Sequence, residues 1–187
     1  PPRTFEEILR LLRSGAAHRA FYLLWDTGLL SVMLPELAAY LDDVGEERDV
    51  VWRRLLAVDR RVAKGALPND AILLASLLQS PAEEYMDGEK DPALAFDSFV
   101  EDLAQRFTVP RRIRERMRIL LSVQKRLRDG KVGNLARREF FSDCALLHGL
   151  DAEARGAAAP EWAYDVSRYV EPAQLKKQKR DKAAPKT

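Results

Sequence analysis

Apolar residues recur three or four positions apart along almost the whole of this chain, and no stretch alternates with period two. That spacing lays one apolar stripe along each segment of helix and denies any segment the two-faced pattern of a half-buried strand. The fold class it implies is all-α, a body of many helices. Thr4 and Glu7 read as a capping box ahead of Phe5, Ile8, Leu9 and Leu12, with Gly15 as the stop. A second helix covers residues 16–27 before Gly28, and a third starts at Pro35. A longer one covers residues 46–64, with Val51, Leu55, Val58 and Val62 on its stripe. Residues 71–78 are apolar nearly all round, which predicts a central helix, and residues 80–91 read as an exposed connection. Asp91 and Pro92 form an N-cap followed by proline at the first helical position. Later helices are expected from Leu135, through Phe140, Leu146 and Leu147, and from Pro160, through Trp162, Val166 and Tyr169.

Charge is distributed unevenly along these helices. Residues 110–138 hold eleven Lys and Arg against Glu115 and Asp129, a local net charge of +9 on a chain whose total is +2. Residues 1–109 hold 12 basic and 19 acidic side chains. One continuous helix is expected from Pro110 to about Arg128. Its wheel places Ile113, Met117, Leu120, Gln124 and Leu127 on one side. Arg111, Arg114, Arg118 and Lys125 stand opposite, within an arc of about 60°. Such a helix docks by one face and presents a basic ridge on the other, the footprint of a surface that meets phosphates or of a merely solvated face. Gln124 lies in the apolar stripe and needs a hydrogen-bond partner there. Residues 174–187 hold six basic residues, one acid and a single large apolar residue, Leu175, and are expected to be a disordered Lys-rich tail. The domain reading is a helical body over 1–109, then the basic helix and C-terminal helices packed on it over 110–173, then the tail.

Other chemistries find little support. No apolar run is long enough to cross a bilayer, so no membrane is expected as a partner. The lone cysteine, Cys144, lies in an apolar stretch and reads as a small buried hydrophobe in a reducing, cytoplasmic setting. His18 and His148 have no Cys or carboxylate at ligand spacing, and no Gly-rich loop is present to cradle a phosphate. The acids at 42, 43, 46 and 47 read as a solvated loop, and Trp25, Trp52 and Trp162 as core or rim aromatics. No catalytic residue, metal ligand or cofactor is assigned to this chain. The start at Pro-Pro-Arg suggests a processed product or a piece of something larger.

The run from Arg3 to Leu41 carries a more specific pattern: Glu6-Glu7, Leu11-Leu12, Ser14-Gly15, then Thr27-Gly28-Leu29-Leu30 and Leu34-Pro35-Glu36-Leu37. It resembles the body region of class II nucleotidyltransferases, the bacterial poly(A) polymerases and CCA-adding tRNA nucleotidyltransferases. Pro110, Arg112, Arg118, Gln124 and Arg126, with Phe140, Leu146 and Leu147, resemble the C-terminal region of the poly(A) polymerase branch. The resemblance covers residues 3–150. The short Lys-rich tail departs from that family's arginine-rich C-terminus.

The resemblance implies a helical body without its catalytic head. The head would use ATP and Mg2+ to extend RNA, and none of its motifs is found here, so this chain alone is expected to be inactive. The residues expected to touch RNA are Arg111, Arg112, Arg114, Arg118, Lys125 and Arg126, with Lys131, Arg137 and Arg138 behind them. Two alternatives stay open. One is the CCA-adding branch, gripping tRNA. The other is a protein-docking module for an RNA helicase or another RNA-processing factor.

Overall fold

The computed structural model describes residues 2–43, 45 and 47–164, and among them it contains only helices and turns. The helices are α1 (Pro2–Arg13), α2 (Ala17–Asp26), α3 (Leu29–Met33), α4 (Pro35–Asp42), α5 (Glu47–Ala63), α6 (Asp70–Met86), α7 (Pro92–Phe107), α8 (Arg111–Ser122), α9 (Gln124–Arg128), α10 (Phe141–Ala154) and α11 (Glu161–Tyr164). A 3-10 turn at Gly133–Arg137 precedes α10. The all-α reading holds. The Lys-rich segment 174–187, Val166 and Tyr169 lie outside the described residues.

Helix α6 is the axis of the fold. Its N-cap Asn69 accepts a hydrogen bond from the Ile72 amide at 3.1 Å. It packs against α1, α4, α5, α7, α8 and α10, which its all-round apolar composition requires. A single apolar core runs from Phe5 on α1 to Leu150 on α10. Gly15 ends α1 at φ 76°, and a Cβ there would stand 3.4 Å from Val62 of α5. The Val62 contact would tolerate a Cβ, so it is the left-handed backbone that favours glycine here.

The structure corrects four sequence expectations. Thr4 lies inside α1, because Pro2 at the first helical position already suits a helix start. Residues 80–86 are not an exposed connection. α6 continues through Pro81 to Met86, with Ser80, Pro81 and Ala82 buried. The burial of that turn outweighs the amide that proline lacks. Leu135 opens no α-helix, since the 3-10 turn occupies that stretch and α10 begins at Phe141. The basic helix is not continuous but breaks at Val123, between α8 and α9. There the buried Gln124 side chain donates through Nε2 to the Leu120 carbonyl at 2.9 Å and the Cys144 carbonyl at 3.3 Å. Leu120 is the residue whose carbonyl a continuing helix would offer to the Gln124 amide.

A buried ion pair crosses the core. Arg54 of α5 is fully buried, and Asp151 of α10 is 1% exposed. Arg54 donates to Asp151 Oδ1 from Nε at 3.2 Å and Nη2 at 2.6 Å. It also donates to the Ser80 hydroxyl at 3.1 Å and the Ser76 carbonyl at 3.2 Å, both on α6. The other carboxylate oxygen of Asp151 accepts from Arg155 at 3.1 Å and from Arg128 of α9 at 3.3 Å. Arg155 reaches on to Glu47 at the start of α5. One carboxylate thus joins α5, α6, α9 and α10. Burial alone would push the Asp151 carboxyl up. The charges of Arg54, Arg155 and Arg128, with the Arg54 hydrogen bond, outweigh that and hold it below the usual carboxylate range.

A second carboxylate acts at long range. Ala16, at the N-cap of α2, makes no side-chain cap. Asp59 of α5 takes that role, accepting from the Ala17 amide at 2.7 Å and the His18 amide at 3.0 Å. It satisfies two orphan donors and complements the helix dipole.

Three changes in stability are expected, all read by urea unfolding. Asp151→Asn leaves Arg54 buried without its charge partner and costs about 3–5 kcal/mol, whereas joint replacement of Arg54 and Asp151 by apolar residues costs less than that single change. Because the folded Asp151 pKa is depressed, its stabilisation is present above the ordinary aspartate value of about 3.9 and drains away as pH falls below it through the folded value, a loss that Asp151→Asn does not show. Asp59→Ala costs about 1–2 kcal/mol through the lost cap of α2.

Candidate nucleic-acid interface

The basic segment is displayed by α8, α9 and the 3-10 turn. Pro110 precedes α8, and Met117, Leu120 and Leu121 bury its inner face, with Ile113 half-buried. Leu127 and Gln124 anchor α9. The cations are left at the surface around these anchors, as wheel geometry requires.

Ion pairing then divides them. On the expected ridge, Arg111 donates to Glu115 one turn on at 2.7 Å. Arg118 donates to Asp97 of α7 at 3.0 Å. Lys125 lies 3.5 Å from Asp87. Arg114 is half-buried, and its Nε is buried without a partner. Lys131 pairs with Asp129 at 3.0 Å. Arg112, Arg126 and Arg138 are exposed, and no acid lies within ion-pair distance of them among the described residues. Arg137 is also exposed. The surface pairs leave little net attraction in water and are easily exchanged, but each acid still cancels part of the field a phosphate would meet. Two arginines of the block are structural. Arg116 binds Asp143 of α10 at 3.0 Å, and Arg128 binds Glu83 at 2.9 Å as well as Asp151.

Lys125 and Arg128 border a cleft of about 870 Å³ between the C-terminal end of α6, the loop before α7 and the α4–α5 connection. Seven acids and four bases line it. That balance opposes a phosphate chain inside the cleft, and Arg112, Arg126 and Arg138 are not among the residues that line it.

The remaining candidates are structural. Cys144 is 1% exposed, and burial pushes its thiol up to about 12, which leaves it inert at neutral pH. His148 is buried with its ring stacked on Trp162 at 5.2 Å, and burial lowers its pKa, keeping the imidazole neutral. No group of three His, Cys, Asp or Glu among the described residues is placed to hold a metal ion. No described helix is long and apolar enough to cross a membrane. The tryptophans are rim or core residues, with Trp52 9% exposed and Trp25 and Trp162 packed partly buried against the core. No local pattern in the sequence marks the Asp151 cluster, since its principal partners lie 97 residues apart. Tyr22 is an exposed ring whose only sequence signal is its helical spacing, four residues from His18 and three from Trp25.

Comparison with known proteins agrees with the motif resemblance. Residues 1–41 match the family model described as "Probable RNA and SrmB- binding site of polymerase A". The chain is similar to Poly(A) polymerase I of Haemophilus influenzae, with 28% identity over 179 residues, covering 87% of this chain and 39% of that protein. It is similar to Poly(A) polymerase I of Escherichia coli O6:H1, with 25% identity over 147 residues, covering 70% of this chain and 31% of that protein. The chain therefore spans well under half the length of these relatives, and the resemblance to the bacterial poly(A) polymerases holds over most of its own length.

Proposed function

We propose that this chain is the RNA-holding helical body of a poly(A) polymerase, working beside a catalytic head that adds AMP from ATP to an RNA 3′ end with Mg2+. The activity belongs to that head, and the body's part is to position the substrate. The observation that carries the reading is the set of cations on α8, α9 and the 3-10 turn, above all the acid-free Arg112, Arg126 and Arg138, in a chain related to poly(A) polymerases. Arg111, Arg114, Arg118, Lys125, Lys131 and Arg137 flank them and add to the same field. Phosphate contacts of this kind supply affinity and register without reading sequence, which suits substrates that share only an end. The cytoplasm, where RNA and ATP meet, is the setting this implies. In the domain reading, residues 1–109 form a helical body like the RNA-binding region of poly(A) polymerases, and 110–173 add the basic helix and the C-terminal helices packed on it.

A second reading draws on the description of the matched segment, which names SrmB beside RNA. It makes residues 1–41 a protein-docking face, with an RNA-processing factor such as an RNA helicase as its partner.

The test is charge reversal in two sets, read as affinity for single-stranded RNA. Replacing Arg112, Arg126 and Arg138 by Glu is expected to lower affinity by at least tenfold. Reversing Arg111, Arg118 and Lys125, each already beside an acid, is expected to lower it less. RNA affinity undiminished by the first set contradicts the proposal. The thermal midpoint of each variant checks that the fold is intact.

A further inference from the structure

Four rings gather where α2 meets α5. His18, Tyr22 and Trp25 lie along one face of α2, and Trp52 stands on α5. The Tyr22 ring lies 5.5 Å from Trp52 and 5.8 Å from Trp25, edge-on to both, and 6.3 Å from His18. Trp25 and Trp52 are themselves 5.8 Å apart.

Trp25 is anchored at its polar edge. Trp25 donates from Nε1 to Asp42 at 2.8 Å, and the Arg48 guanidinium lies 5.8 Å from its ring centre. Arg48 is in turn held by the Leu41 carbonyl at 3.2 Å. Trp52 is 9% exposed, yet Tyr22, resting on both, is 43% exposed, with Leu23 beside it at 49%. An exposed aromatic ring that rests on two packed rings has less freedom to lose on binding than one standing free in solvent.

From this geometry we infer that Tyr22 is a stacking platform for an unpaired nucleobase of the RNA. The inference rests on the RNA reading above and adds a base-contacting site on α2 to the phosphate contacts proposed for α8, α9 and the 3-10 turn. Arg19, three residues before Tyr22 on α2, is exposed and has no acid within ion-pair distance among the described residues, so a phosphate beside the stacked base finds a cation there. Asp42 is hydrogen-bonded to Trp25, and the exposed Asp49 lies three residues before Trp52 on α5, so the patch carries acids as well as Arg19. What it offers is ring surface rather than field. Every base has a π-face, so stacking grips a strand without choosing its sequence. Tyr22 and Arg19 lie within the 1–41 segment that matches the family model.

The experiment compares the full chain's affinity for a short oligo(A) strand and for an abasic strand of equal length, which has the same phosphates and no bases. The unaltered chain is expected to prefer oligo(A) by roughly tenfold. Tyr22→Ala should abolish that preference while leaving abasic affinity unchanged, and Tyr22→Phe should retain it. A preference that survives Tyr22→Ala overturns the platform. So does equal loss on both strands, or an unaltered chain that binds both strands alike, in which case the patch belongs to a protein partner. If the unaltered chain binds neither strand, the RNA reading itself falls.

Discussion

The arrangement of this molecule depends on one buried carboxylate. Asp151 accepts from Arg54, Arg128 and Arg155, and Arg54 reaches on to Ser76 and Ser80. Three arginines on one acid is an imbalance that burial would punish, were the surplus charge not carried outward to Glu83 and Glu47. The network holds α6 together across the turn that Pro81 weakens, and it fixes α9 against α10. The direction in which α9 presents Arg126 follows from that fixation.

The same network sorts the basic block by role. The eleven cations look uniform in the sequence, but the fold consumes Arg128 and Arg116 internally and sets Glu115 of the same helix, Asp97 of α7 and Asp87 just after α6 against Arg111, Arg118 and Lys125. The acid-lined cleft beside α9 sharpens the division, because it repels phosphate on one side of that helix and leaves the other side positive. In the proposed function, affinity comes from the outward arginines and the exposed Tyr22 contributes contact with a base, so the body grips backbone and base without reading sequence.

Much of the fold was legible in the sequence. The period of the apolar residues fixes the all-α class, the all-round apolar run of α6 marks the centre, and Asp91 caps α7 as its type suggests, accepting from Ala93 and Leu94. What was not legible lies in long-range contacts. Pro81 reads locally as a helix stop, and only burial of Ser80–Ala82 against neighbouring helices overrides it. The break at Val123 depends on where the Gln124 amide finds acceptors, one of them on α10. The cap of α2 comes from Asp59, some forty residues away. The basic ridge was visible, but not which of its members face an acid, since Asp97 and Asp87 are brought there by the packing of α6 and α7.

The central claim is that this surface holds RNA through its phosphate backbone. The direct measurement is the affinity of the chain for single-stranded RNA across a range of salt concentrations. With about four phosphates neutralised, the log–log slope should be roughly −3. An affinity that does not change between low and moderate salt would contradict the account.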